Sequence, residues 1–147
     1  MEKLEKLMEY FLVMGIVALH KYGSVGPVAF MINGKNLIIH PMDFSDKELA
    51  IQVLRKLCQE NNVKKVVTMS EAYLSHDLSG IPASEAPDRR DVIVVRGEDI
   101  NGKSCMTIQP FHRNKNGKIV LENTKKNLPV LPFGRMSGIL TRRGHQV

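Results

Sequence analysis

The densest group of reactive side chains in this chain lies between residues 70 and 91, where Glu71, Tyr73, His76, Asp77, Asp88, Arg89 and Arg90 crowd together. Glu71 comes late in an apolar run whose alternate members are Val67 and Met69. A carboxylate on that side of a strand is partly withdrawn from water, which alters its proton affinity as general acid–base work requires. Arg89 would then orient an anionic substrate. The competing role is fastening: an Arg–carboxylate bond from Glu71 to Arg89 or Arg90 would hold the loop of residues 75–90 onto the sheet. Fastening is the favoured reading, because structural ion pairs perturb carboxylates as catalytic ones do.

Other chemistries find less support. His20, His40, His76, His112 and His145 form neither H-x-H nor H-x-x-x-H, and Cys58 and Cys105 have no nearby ligating neighbour, so no metal is expected. There is no G-x-S-x-G elbow, no Walker A run and no G-x-G-x-x-G, and Gly23-Ser24-Val25-Gly26 reads as a linker. No cofactor is expected. Both cysteines sit in apolar runs and read as reduced core thiols of a cytoplasmic protein, with a disulfide between them left open by spacing alone.

Charge divides the chain. Residues 111–147 hold eight Lys and Arg against one acid, Glu122, while the whole chain carries +6, so the body before them is close to neutral. A basic tail with Lys125, Lys126, Arg135, Arg142 and Arg143 among interrupting Pro, Gly and apolar residues suits a nucleic-acid backbone, an acidic protein, or simply a solvated end.

The elements that must position these residues are legible from periodicity. Leu4, Leu7, Met8, Phe11, Leu12, Gly15, Ala18, Leu19 and Tyr22 follow helical spacing, and Val13, Met14, Ile16 and Val17 add apolar surface elsewhere on the same helix. Either the domain wraps such a helix or a second copy does. Its apolar run Phe11–Leu19 is too short to span a bilayer, which needs roughly 20 residues, so no membrane is expected. Asn33-Gly34 between two apolar runs predicts a hairpin. Ser45 and Glu48 predict a capping box before a second helix with the stripe Leu49, Ala50, Val53, Leu54, Leu57 and Cys58. Strands are predicted from Lys65 to Tyr73, Asp91 to Arg96, Ser104 to His112 and Lys118 to Glu122, with Asn101-Gly102 and Asn116-Gly117 in the turns.

The expected fold is therefore α+β, in the order α-β-β-α-β-β-β-β. A mostly antiparallel sheet of about six strands carries two helices on one face. Residues 1–123 form the domain, and 124–147 a basic, extended or partly disordered tail.

The run Ser70-Glu71-Ala72-Tyr73, the segment Pro82 to Arg90 ending Pro87-Asp88-Arg89, and Val95-Arg96-Gly97-Glu98-Asp99 resemble a set of uncharacterised bacterial and phage-associated proteins. Those carry an S-E-A-aromatic strand end, a loop ending P-D-R and a strand leading into G-E-D. Their aromatic is more often Trp than the Tyr73 found here. The resemblance supplies no chemistry, but it implies that Glu71, Tyr73, Asp88 and Arg89 form one constellation. No complete catalytic motif is present. The leading expectation is a small binding or regulatory module that self-associates through the first helix or an open sheet face; the alternatives are a nucleic-acid accessory protein using the tail, and an enzyme with a Glu71/Arg89 site.

Overall fold

The computed structural model describes residues 3–75, 85, 87–128 and 139–140. Helix α1 (Leu4–Tyr22) comes first, stopped by Gly23 in the left-handed region (φ 79), whose N–H returns to the Leu19 carbonyl. The hairpin β1 (Val28–Asn33) and β2 (Asn36–Pro41) follows. Asn33 and Asn36 flank its two-residue turn, and only Gly34 takes a positive φ (57), so the turn sits one residue later than Asn-Gly spacing predicts.

A 3-10 turn, Phe44–Asp46, leads into α2 (Lys47–Glu60). The cap differs from the expected one. Asp46, not Ser45, accepts the Leu49 N–H at 3.1 Å, and Asp43 accepts the Ser45 N–H at 2.9 Å. The exposed half of the predicted stripe differs too. α2 buries Ala50, Ile51, Leu54 and Cys58, while Leu49 and Val53 stay 55% and 40% exposed.

The remaining strands are β3 (Lys65–Leu74), β4 (Arg90–Asp99), β5 (Ser104–Arg113), β6 (Ile119–Leu121) and β7 (Lys125–Leu128). All pairings among the described residues are antiparallel, in the order β2-β1-β3-β4-β5-β6, with β7 also on β5. The turns after β4 and β5 repeat one device. Asp99 Oδ1 accepts the N–H groups of Asn101 and Lys103, and Asn114 Oδ1 those of Asn116 and Lys118. The fold is thus α+β with two helices and a mostly antiparallel sheet, as the periodicity predicts.

The helices do not share a face. Leu4, Met8, Phe11, Leu12 and Leu19 of α1 pack with Phe30, Ile32, Val67, Met69, Ile93 and Val95. Ala50, Leu54 and Cys58 of α2 pack with Ala29, Met31 and Val66, the alternate residues of the same strands. This corrects the one-face expectation. In β1, Ala29, Phe30, Met31 and Ile32 are all apolar, so both sides need cover and each helix supplies one.

The α1 face is closely fitted. Phe11 stacks on Phe30 with centroids 3.9 Å apart. Gly97 lets α1 approach the sheet: a Cβ there would stand 2.5 Å from Met8 Sδ and 2.9 Å from Leu4 Cδ1.

The segment expected to be a tail contains two anchored pieces. Lys125–Leu128 pair with β5, and Ile139 and Leu140 are buried in the α2-side core. The Leu140 N–H donates to the buried Glu98 Oε2 at 2.9 Å. Arg135, Arg142 and Arg143 lie outside the described residues.

Candidate functional site

Glu71 stands on the α1 face of β3, in register with Ile93 of β4. Its Oε1 accepts the N–H of Val25, 46 residues earlier, at 2.6 Å. Val25 is buried and belongs to the linker between α1 and β1. The carboxylate thus fastens that linker to the sheet, in place of the expected ion pair with Arg89 or Arg90. Arg90 instead pairs with Glu122 at the end of β6, and His112 Nδ1 lies 3.3 Å from the same carboxylate. These two partners hold the Glu122 carboxyl below its ordinary value, His112 contributing most and desolvation opposing.

Two contacts place the other members of the expected constellation. The Arg89 guanidinium lies over the Tyr73 ring, 4.8 Å from its centroid, and the Ser75 hydroxyl donates to Asp88. Tyr73 and Arg89 are therefore brought together, Asp88 sits beside Ser75, and Glu71 points to Val25. His76, Asp77 and Ser84 lie outside the described residues. One of the two carboxylate oxygens of Glu71 is thus committed to a backbone N–H.

The thiols belong to the interior. Cys58 and Cys105 are both free and buried, on opposite faces of the sheet. Burial, reinforced by Glu98, pushes the Cys58 thiol up to about 12, and burial also raises Cys105. A thiol so disfavoured as thiolate is a poor nucleophile. Among the described residues, no three His, Cys, Asp or Glu stand close enough to hold a metal, and no helix is long and apolar enough to cross a membrane.

The basic residues of β7 are partly committed. Lys125 and Lys126 are exposed, and Lys126 Nζ lies 3.5 Å from Glu9 of α1. Lys126 thus meets the same side of α1 as Lys103, which pairs with Glu5.

What stands open instead is apolar. On α1, Tyr10, Val13, Met14 and Val17 are between 41% and 63% exposed. On β2, Leu37 and Ile39 are 48% and 54% exposed, on the α1 side of the sheet because they face Ile32 and Phe30 in register. On the other side of β2, Leu49 and Val53 of α2 line a shallow pocket with His40 and Pro41. Sequence periodicity finds these residues but assigns Leu49 and Val53 to the core, since helical spacing cannot say which flank of an apolar stripe meets the sheet.

No family model, curated protein or solved structure matches this chain.

Proposed function

We propose that the protein is a small binding or regulatory module that works by self-association in a reducing, cytoplasmic setting. The observation that carries this reading is that open apolar side chains recur along the outer side of α1 and along the edge strand β2. Scattered apolar residues are ordinary on a protein surface; a group of them along one sheet edge and one helix marks an interaction surface. A second copy meets such a surface with the same chemistry, and two-fold association is the commonest outcome.

The free, buried thiols agree with a reducing compartment. The roles of Glu71 and Glu122 as fasteners favour binding over catalysis. Sedimentation velocity over a hundredfold concentration range tests the reading. A dimer that dissociates on dilution is expected; a monomer at the highest concentration overturns it.

A second reading rests on the basic segment, where Lys115 and Lys118 of the turn before β6 and Lys125 of β7 are all exposed. If it binds nucleic acid, affinity falls steeply with salt. Charge reversal at Lys115, Lys118 and Lys125 then abolishes binding, and unchanged affinity rules this surface out.

A further inference from the structure

We infer that strand β2 pairs antiparallel with the β2 of a second copy, joining two sheets edge to edge about an axis at Ile38. This deepens the self-association reading and rests on it.

The two edges of the sheet are unlike. At one end, β6 has three residues and β7 four, the ladder slips between Met106 and Ile108, and β7 opens with Lys125 and Lys126. Short strands, irregular pairing and lysines are how proteins guard an edge. At the other end, β2 runs six residues with no bulge against β1, carries no Asp, Glu, Lys or Arg, and holds Leu37, Ile38 and Ile39 in succession. Among the described residues, nothing pairs with its outer side. Pro41 guards only the last position of β2, so the stretch before it, centred on Leu37–Ile39, is a template for another strand.

The register says which backbone groups are available. The tight turn makes Asn33 and Asn36 a hydrogen-bonded pair, and Met42 N–H donates to the Pro27 carbonyl at 2.9 Å at the far end. Bonded pairs alternate along the ladder, so Asn36, Ile38 and His40 bond inward to β1. Leu37 and Ile39 then present their N–H and C=O groups outward. Two outward residues spaced two apart are self-complementary. Leu37 of one copy exchanges both bonds with Ile39 of the other, and the reverse, giving about four new backbone hydrogen bonds.

The side chains agree with that register. On the α1 side, Leu37 of each copy falls opposite Ile39 of the other, covering residues now half exposed. On the α2 side, Ile38, packed on the α2 core, meets its own copy, while Leu49 and Val53 stand exposed beside His40 and Pro41 further along the strand. Lys35 comes opposite the second copy's Pro41 and near its Asp43, opposite in charge. No like charges are opposed along the strand. The edge is apolar at Leu37, Ile38 and Ile39 and complementary to itself in this register, which is why a second copy is the occupant.

Two variants test this in the full chain. Ile39→Pro removes an outward N–H that β1 does not use, a position where edge strands tolerate proline. It should leave the circular dichroism spectrum unchanged and raise the dimer dissociation constant more than about 100-fold. Ile38→Cys places two thiols across the axis as a non-hydrogen-bonded pair, close enough for a disulfide, while Cys58 and Cys105 are buried. Mild oxidation should give a covalent dimer from Ile38→Cys and far less from Leu37→Cys. A dimer that survives Ile39→Pro, or an Ile38→Cys protein that does not cross-link while still dimeric, overturns strand pairing and leaves association elsewhere, such as α1. A wild-type monomer overturns both readings. If Ile39→Pro does not fold, the cross-linking comparison decides alone.

Discussion

Replacing Glu71 separates a fastening carboxylate from a catalytic one. In Glu71→Ala the Val25 N–H loses the acceptor that stands 2.6 Å away, in a residue only 7% exposed. A hydrogen bond to a charged group contributes about 1.5–3 kcal/mol, and an unpaired buried donor costs about 1–3 kcal/mol. These are two views of one loss, so about 2 kcal/mol is expected for Glu71→Ala. Glu71→Gln keeps an acceptor oxygen and loses only the charge, so about 0.5–1 kcal/mol is expected. In a domain of this size the alanine variant should melt about 4–8 °C lower. Urea unfolding followed by circular dichroism, with unchanged slope, gives the free energies. A carboxylate kept for chemistry behaves otherwise: its removal leaves stability unchanged or raised. Glu71→Ala within about 0.5 kcal/mol of wild type, or equal losses in Ala and Gln, would refute the fastening argument.

Gly97→Ala should cost about 1–3 kcal/mol, because its Cβ meets Met8 and the branch of Leu4 and α1 must lift; in Gly15→Ala the obstacle is the flexible end of Met69, and about 1 kcal/mol of helix propensity offsets it, so calorimetry should separate the two glycines. Glu122 has a depressed pKa, so the Arg90–Glu122–His112 link is fully present above the ordinary value of 4.5 and is lost as pH falls through the lower folded value. Amide resonances of Ile119–Leu121 should therefore shift on acidification below that point, and Glu122→Gln should remove the shift. Leu140→Ala, at a residue 4% exposed, should cost about 2–4 kcal/mol. It should also speed labelling of Cys58, which lines the same cavity of about 210 Å³; unchanged labelling would mean that this segment does not shield the thiol.

Elements were legible in the sequence because their signals are local. Helical spacing from Leu4 to Leu19, and glycines at 34, 102 and 117 in positive-φ turns, depend on neighbours a few residues away. β7 was not legible. Lys125–Leu128 has no alternation of its own, and its strand form comes from the free edge of β5. The partner of Glu71 was out of reach for a similar reason: a backbone N–H 46 residues away carries no residue-type signal.

The amino-acid sequence by itself determined the α+β class, the element order as far as β6 and the division between a neutral body and a basic end, since propensity, periodicity and charge are properties of short stretches. Only the tertiary structure decided which side each helix covers. Apolar residues on consecutive positions of β1 demand cover on both faces but do not say which helix goes where. It also decided which apolar residues are left over. Burial is a property of the whole packing, so Leu37, Ile39, Leu49 and Val53 become a surface only when the sheet ends at β2 and α2 turns one flank away from it.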